Sequence, residues 1–268
     1  MPRARANALS STTTFRCDLN FLLAFRLLRV ALHLLRGMAT CAIVFPWIGG
    51  ARRNEHVRRW SRQLLAICGV SLERIDAAPV LEHAMIVANH VSWLDIFVIN
   101  ALHPCRFVAK SEIRDWPLAG WLVAQAGTVF IARGNRRDLR HIFKGLVANL
   151  QEGERVAFFP EGTTAAQGTL LPFHANLFEA AIDAKVVVQP YALRYLDARG
   201  ELQRTVDYIG DTTFVDSIIT ILRGGPVRAQ LICTAPIPVE GAHRRELALA
   251  AQQAVGAALG LAPQVAAE

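Results

Sequence analysis

Several short motifs that identify common enzyme classes are missing from this 268-residue sequence. No two of its 18 glycines stand two residues apart, so the G-x-G-x-x-G fingerprint of dinucleotide-binding proteins is absent, and so is a Walker A motif. No serine lies in G-x-S-x-G, which excludes the usual nucleophile elbow of hydrolases. The five cysteines form no C-x-x-C pair, which argues against zinc and redox sites, and their scatter suits a reducing cytoplasm. We therefore expect no metal site and no resident cofactor.

Charged residues are also scarce, and acidic residues are almost missing from the N-terminal part of the chain. Charged side chains make up 19% of the sequence and hydrophobic ones 53%, a balance that favours membrane contact. Residues 1–62 hold eleven arginines against Asp18 and Glu55, a balance of +9; since the whole chain carries +7, the remainder carries −2. The basic segment is therefore where an anionic membrane surface would be met. Because no nucleic-acid-binding motif accompanies it, we expect no nucleic-acid partner.

The N-terminal part divides into a tail and a helical segment. Residues 1–18 are polar, basic and rich in serine and threonine, which predicts a disordered tail, with a transit peptide as the alternative. Residues 19–70 are predicted to be a membrane-associating segment of two amphipathic helices, over residues 19–36 and 52–68. The second helix has an apolar side and an arginine-rich side, as expected for a pair of helices that docks on a membrane.

The first of these helices carries a polar stripe on a leucine-rich background. Four residues at i, i+3, i+7 and i+10 fall on one helical face: Arg26, Arg29, His33 and Arg36. A helix with a basic face and an apolar face is typical of the membrane interface. The uncharged run 37–51 has fifteen residues, fewer than the roughly 20 that span a bilayer. We therefore expect an interfacial or re-entrant insertion, with a single span as the alternative.

Residues 71–262 alternate predicted strands and helices, and residues 263–268 form a loose C-terminus. The predicted strands are 72–75, 84–88, 106–109, 128–131, 155–159, 186–193, 206–209 and 227–233. The predicted helices are 94–101, 117–126, 136–151, 175–184, 214–222 and 243–259. Alternation of this kind predicts an α/β domain with a mixed, largely parallel sheet flanked by helices.

A histidine and an aspartate follow the short buried strand predicted at residues 84–88. His90 stands at the mouth of that strand and Asp95 follows five residues later. Histidine accepts a proton near neutral pH, and a carboxylate on its other ring nitrogen fixes the tautomer. Five residues on a regular helix turn by about 500°, so the two side chains meet only if an irregular turn separates them. Without that turn, His90 is a strand-end histidine and Asp95 an ordinary residue at a helix start.

A second strand-end motif changes the interpretation of the first. The apolar run 156–159 enters a Pro-Glu-Gly turn, and the two motifs together resemble those of the glycerolipid acyltransferase family. Four blocks stand in the order typical of that family: a His-x4-Asp motif from His90 to Asp95, a substrate-binding block 127–133 that ends in arginine, a Phe-Pro-Glu-Gly motif in 159–163, and an apolar-proline block 186–190.

The resemblance implies a membrane enzyme that transfers a fatty acyl group from acyl carrier protein or coenzyme A to the free hydroxyl of a lysolipid. It makes His90 the general base and Asp95 its orienting carboxylate. The nucleophile is then the substrate's own hydroxyl, so no covalent enzyme intermediate is needed. The leading acceptor is 1-acyl-sn-glycerol-3-phosphate, which gives phosphatidic acid in phospholipid biosynthesis. We expect this reaction at the cytoplasmic face of a bacterial inner membrane.

The resemblance also implies a set of substrate-binding residues. Arg133 is the expected ligand of the phosphate head group, because a guanidinium forks onto phosphate, and Lys110 adds charge. Glu161, Gly162 and Thr163 are expected to bind the glycerol backbone or to order the site. Backbone N–H groups around the last two would contact the oxyanion or a phosphate.

Two departures from the family pattern leave the acceptor open. Many members have arginine where this chain has Thr164, and lysine where it has His174. Both changes remove positive charge, so a lyso-ornithine lipid O-acyltransferase is an alternative. A thioesterase-like hydrolase is a second, and a non-catalytic membrane-binding protein of the same fold is a third, although a binding protein has no need of the His90–Asp95 pair.

Overall fold

The computed structural model describes residues 7–115, 119–131 and 136–262. Its strands are β1 Val70–Asp76, β2 Met85–Ala88, β3 Arg106–Lys110, β4 Val129–Ile131, β5 Val156–Phe158, β6 Val188–Leu196 and β7 Val227–Cys233. Its α-helices are α1 Asn7–Ala39, α2 Gly50–Ile67, α3 Leu94–Leu102, α4 Ala119–Gln125, α5 Arg136–Gln151, α6 Glu179–Ala184, α7 Phe214–Arg223 and α8 Arg244–Leu259.

The strands form one seven-stranded sheet in the order β1-β7-β6-β2-β5-β3-β4. Every neighbouring pair is parallel except β6 and β7, which are antiparallel. The predicted fold class, an α/β domain with a mixed and largely parallel sheet, is confirmed. Because β2, β5, β3 and β4 run in the same direction, the residues that follow them are brought to one edge of the sheet.

The hydrophobic core lies on both faces of the sheet, and β2 contributes side chains to the core on each face. Its four residues, Met85 to Ala88, are no more than 1% exposed. Ile86 and Ala88 pack with α2, α3 and α7 on one face, whereas Met85 and Val87 pack with α5, α6 and α8 on the other. A strand buried on both faces explains why this segment is continuously apolar in the sequence.

The N-terminal helix is longer than predicted. α1 is helical from Asn7, the first residue that the structure describes, so residues 7–18 are helical where a disordered tail is predicted. The sequence has neither proline nor glycine between Asn7 and Arg36, and nothing therefore interrupts the helix. The helix passes into a π-helical turn over Thr40–Val44 and a 3₁₀ turn over Phe45–Trp47, where Pro46 ends it.

Part of the polar stripe of α1 faces the protein rather than water. Arg26 donates from Nη1 to the backbone oxygen of Leu222 in α7. His33 is buried, stacks on Trp60 of α2 at 4.6 Å between ring centroids, and approaches the Trp60 oxygen at 3.0 Å from Nε2. The leucine face is left outside, and its exposed residues are Phe21, Leu22, Phe25, Leu27, Leu28, Leu32 and Leu35.

By length and composition, the segment Phe21–Trp47 qualifies as a candidate membrane span, and it is the only candidate in the part of the chain described by the structure. The packing of Arg26 and His33 against α7 and α2 holds one side of this helix on the sheet domain. That arrangement is compatible with the interfacial placement predicted from the sequence.

The strand predicted at residues 206–209 is wrong. Arg204–Val206 forms a 3₁₀ turn in which the Gln203 side chain accepts from the Thr205 N–H, and the following residues are a loop. Val206 is nevertheless fully buried, which gives the segment its apolar character. Tyr208 donates its N–H to the Val91 oxygen at 3.0 Å, so the loop lies beside the turn that carries His90.

Candidate active site

The turn between β2 and α3 brings His90 and Asp95 together. β2 ends at Ala88, and residues 89–92 are irregular before α3 begins at Leu94 with Trp93 as its cap. Asp95 lies in the first turn of α3, where a carboxylate is favoured by the helix dipole. The irregular turn that the sequence requires is therefore present, and His90 Nδ1 lies 2.8 Å from Asp95 Oδ2.

The carboxylate of Asp95 is fully buried and has four donors. Its Oδ2 accepts from the backbone N–H groups of Val91 at 2.7 Å and Ser92 at 2.9 Å, in addition to His90. Its Oδ1 accepts from the hydroxyl of Tyr195 at 2.5 Å. Burial, followed by the charge and the hydrogen bond of Asp95, raises the pKa of Tyr195 well above its ordinary value, so the hydroxyl remains a donor. These contacts keep a buried negative charge in one position.

The imidazole of His90 is held on one side and open at the other. Because Asp95 can only accept when ionised, the hydrogen bond assigns the proton to Nδ1 and leaves the lone pair on Nε2. The ring stacks on Phe159 with 3.9 Å between centroids and 6° between planes. The His90 side chain retains 18% of its exposure, so a substrate hydroxyl can reach the ring.

Glu161 is buried behind the turn that carries His90. Its Oε1 accepts from the His90 N–H at 2.7 Å and its Oε2 from the Leu171 N–H at 2.8 Å. Burial raises the pKa of this carboxyl to about 7, against the lowering effect of the two backbone donors and of His90. Both oxygens accept from backbone N–H groups of the site, which favours the second of the two expected roles, ordering the site. The role of Glu161 toward the substrate stays a prediction.

Gly162 and Thr163 form the exposed corner of the same loop. Gly162 has a φ of +68°, a left-handed conformation that glycine adopts without strain, and its N–H donates to the Phe159 oxygen at 3.1 Å. That N–H donates within the turn, and the expected contact of N–H groups around Gly162 and Thr163 with the oxyanion or a phosphate stays a prediction. The loop returns at Ala165 to the His90–Asp95 pair, which we call the dyad. The Ala165 N–H donates to the His90 oxygen at 2.8 Å.

Of the two predicted phosphate ligands, Lys110 lies within the described residues. Lys110 is exposed at the carboxyl end of β3, two strands from β2 in the sheet order and hence about 10 Å away laterally. Ile131 ends β4 opposite Lys110. Arg133 follows it and lies outside the described residues, so its role stays a prediction.

Tyr195 is the main contact that the sequence does not reveal. The predicted strand ends at residue 193, whereas β6 continues to Leu196 and carries Tyr195 up to Asp95. Asn89 is a second such residue, because its side chain exchanges two hydrogen bonds with the backbone of Leu193, at 2.9 and 2.7 Å. The alternation of Tyr191, Leu193 and Tyr195 is the signal that would have extended the strand.

Comparison with known proteins finds a family model and relatives that match the part of the chain that carries this site. Residues 69–194 match a protein-family model described as Acyltransferase, a span that includes His90, Asp95 and Glu161. The chain is 42% identical over 209 residues to the lyso-ornithine lipid O-acyltransferase of Pseudomonas aeruginosa, covering 77% of this chain and 79% of that protein. It is 41% identical over 188 residues to the 1-acyl-sn-glycerol-3-phosphate acyltransferase of Neisseria meningitidis, covering 68% and 72%.

The fold has a counterpart among solved structures. The crystal structure of PlsC, the 1-acyl-sn-glycerophosphate acyltransferase of Thermotoga maritima, matches with a TM-score of 0.69. The match covers 91% of this chain and 96% of that chain at 18% sequence identity. At that identity the likeness concerns the architecture, including the N-terminal helices, and it agrees with the fold described above.

Proposed function

This chain belongs to the acyltransferase family and is a lysolipid O-acyltransferase, and from that premise we propose that His90 and Asp95 are its catalytic pair. The observation that carries the proposal is the 2.8 Å contact between His90 Nδ1 and a buried, four-fold hydrogen-bonded Asp95. Such a pair leaves Nε2 as the base, at the open edge of the sheet where an acceptor can approach.

The proposed reaction carries one proton from the lysolipid hydroxyl, through His90, to the leaving thiolate. Nε2 takes the proton of the lysolipid hydroxyl as that oxygen attacks the carbonyl carbon of the thioester. The imidazolium that forms is stabilised by Asp95, and the tetrahedral oxyanion then collapses with cleavage of the carbon–sulfur bond. The departing thiolate recovers the proton from His90, which restores the neutral ring. The donor in this proposal is acyl carrier protein or coenzyme A.

Loss of the base tests the catalytic assignment. His90→Ala should lower kcat about 10²–10⁴-fold, and Asp95→Asn should lower it comparably because the tautomer would be wrong. Purified protein is assayed with acyl-coenzyme A or acyl carrier protein as the donor and a panel of lysolipids as acceptors. His83→Ala, an exposed histidine before β2, is the matched control. Near-normal turnover in His90→Ala contradicts the assignment, and release of free fatty acid without any lysolipid indicates a thioesterase.

We propose 1-acyl-sn-glycerol-3-phosphate as the acceptor, with a lyso-ornithine lipid as the second candidate. The first is supported by Lys110 and Arg133, which lie in the sequence between the dyad and the Phe-Pro-Glu-Gly motif, and by the similarity to the Neisseria enzyme. The second is supported by the Pseudomonas relative and by Thr164, whose hydroxyl donates to the Tyr208 oxygen where many family members have arginine.

The acceptor is decided by a ratio of kcat/KM values for the two lysolipids. If the phosphate lipid is the substrate, Arg133→Ala should raise its KM about 10- to 150-fold and leave the donor KM unchanged. Arg133→Lys should recover part of this effect, because an ammonium cannot fork onto two oxygens. A preference of the wild type for the lyso-ornithine lipid selects the second candidate. An equal loss for both acceptors, together with a higher donor KM, shows that Arg133 does not read the head group.

For location, we propose that α1 holds the enzyme on the cytoplasmic face of the membrane through its exposed leucine face. Phe25, Leu28, Leu32 and Leu35 are each at least 50% exposed. Eleven arginines between residues 1 and 62 add attraction to anionic lipids. The acceptor and the product are membrane lipids, so this arrangement brings the site to its substrates.

A further inference from the structure

A cavity of about 480 Å³ opens at the end of the sheet opposite the dyad. Its wall includes Glu82, from the loop that precedes β2, and Arg155, which immediately precedes β5. His103, at the end of α3, is also in the wall. Because β2 and β5 are parallel and the dyad follows β2, these residues mark the amino ends of the strands. The four residues of β2 alone put at least about 10 Å between the cavity and the dyad.

Arginine dominates the lining of this cavity. Four arginines from three different parts of the fold contribute to it: Arg58 and Arg62 of α2, Arg74 of β1, and Arg155. Two of them donate from Nε to backbone oxygens: Arg62 to Ala101 at 2.8 Å and Arg155 to Leu81 at 3.3 Å. The other two pair with carboxylates, Arg58 with Glu55 and Arg74 with Asp76. Each guanidinium therefore keeps donors that these contacts do not use.

Two buried polar atoms of the lining lack partners. Within the described chain, His103 Nε2 and Arg58 Nε are both buried and make no hydrogen bond. An unpaired polar atom in such a place is costly unless a ligand or water completes it. Burial, followed by the charges of Arg155, Arg74 and Arg58, lowers the pKa of His103 to about 4. The positive charges of these three arginines therefore act on the His103 ring, and the Asp76 carboxylate opposes them.

We propose that this cavity binds an oxyanion of the phosphate class, either free phosphate or the phosphate of a lipid head group. Planar guanidinium groups fork onto tetrahedral oxyanions, and four of them line this cavity. An anion at this place connects α2 to the loop before β2, to β1 and to β5. The site thus ties the N-terminal helices to the catalytic sheet, and it is distinct from the acceptor site of the proposed function.

Thermal unfolding with and without phosphate tests the site. We expect sodium phosphate at about twenty times its Kd to raise the Tm of the detergent-purified protein by about 3–6 °C over sodium chloride of equal ionic strength. Arg155→Gln should weaken the binding about 10- to 150-fold, which at that concentration cuts the shift to about a third of the wild-type value or less. Arg245→Gln, an exposed arginine at the start of α8, is matched in charge. Its shift should be unchanged, which also controls for the general salting effect of phosphate.

Vesicle flotation distinguishes the two sources of phosphate. Phosphatidylcholine vesicles with and without phosphatidic acid are compared for wild type, Arg155→Gln and Arg29→Gln, an exposed arginine of α1 with the same charge change. A lipid ligand predicts a larger loss of phosphatidic acid dependence in Arg155→Gln than in Arg29→Gln. Equal losses combined with the Tm effect identify free phosphate as the ligand.

The dyad variant separates this site from the active site. His90→Ala should keep the full phosphate shift even if it abolishes acyl transfer, because the two sites lie at opposite ends of β2. Two results together overturn the proposal. In the first, phosphate shifts the Tm of Arg155→Gln and Arg245→Gln equally. In the second, Arg155→Gln and Arg29→Gln lose the same amount of phosphatidic acid dependence in vesicle binding. The proposal is overturned as well if the phosphate shift disappears in His90→Ala.

Discussion

Tyr195 is the residue at which positioning and proton transfer can be separated. Its hydroxyl donates to Asp95 and its side chain is fully buried, so Tyr195→Phe should lower kcat with little change in KM. A hydrogen bond to a buried charge contributes about 1.5–3 kcal/mol, so we expect a loss of at most about 10- to 150-fold. Steady-state kinetics checks this. Tyr191→Phe removes a hydroxyl from an equally buried ring on β6 and serves as the control; equal effects of the two substitutions would contradict a specific role for Tyr195.

Glu161 makes the stability of the enzyme depend on pH. Its carboxyl pKa is raised from 4.5 in the reference state to about 7 in the fold. Since the folded protein binds this proton more tightly, the contribution is complete below about pH 4.5 and is lost as the pH rises through about 7, which amounts to about 3 kcal/mol. Glu161→Gln removes the titration, although one of the two backbone donors then loses its acceptor.

Chemical denaturation at several pH values measures this effect. Between pH 4.5 and pH 8 the free energy of unfolding of the wild type should fall relative to that of Glu161→Gln. The offset from the lost acceptor is the same at every pH, so the slope carries the information. Glu201→Gln, at an exposed position beyond β6, should follow the wild type. Parallel curves for wild type and Glu161→Gln would show that the carboxyl does not titrate in this range.

At the scale of the element, α1 is an amphipathic helix whose polar side contacts the protein and whose apolar side is exposed, the reverse of the usual arrangement. Its side chains Arg26 and His33 contact the protein, whereas Leu28 and Leu32 are each 56% exposed. Burying half of a leucine side chain in lipid gains about 1 kcal/mol, so the double variant Leu28→Ser/Leu32→Ser should weaken vesicle binding about 30-fold. Flotation measures the partition. Leu249→Ser on α8, where the leucine is 42% exposed, should bind normally, and unchanged binding of the double variant would rule out α1 as the anchor.

At the scale of the whole molecule, the division between segment 19–70 and domain 71–262 stays a prediction, but α2 packs within the core. Leu64, Leu65 and Cys68 are each at most 3% exposed and belong to the cluster that covers β2. Removing their burial costs about 5 kcal/mol, which is comparable to the stability of a typical domain. Deletion of residues 1–68 should therefore give an aggregated chain.

A shorter deletion should separate folding from membrane attachment. Deletion of residues 1–49 leaves α2 complete, so this variant should stay folded by circular dichroism and lose most of its vesicle binding. A soluble and folded 1–68 deletion would show that α2 is dispensable for the domain. Vesicle binding that persists after the 1–49 deletion would show that the anchor lies elsewhere.

The order of the motifs and the alternation of apolar segments were enough to determine the α/β class, the family and the contact between His90 and Asp95. These features are local: β2 is apolar throughout because it is buried on both faces, and the dyad lies within six residues of chain. The sequence also predicted correctly that an irregular turn must separate the two side chains, since helical geometry alone forbids their contact.

Only the tertiary structure decided which groups support the dyad and which way α1 faces. Tyr195 reaches Asp95 across one hundred residues, and Glu161 is occupied by backbone N–H groups from two separate segments. Such contacts depend on strand order and length, which periodicity does not specify. The cavity of arginines at the opposite end arises in the same way, because it collects side chains from α2, β1 and the residue before β5 that are remote in sequence. The local sequence pattern determines the secondary structure of a segment, whereas long-range packing determines which groups its side chains contact.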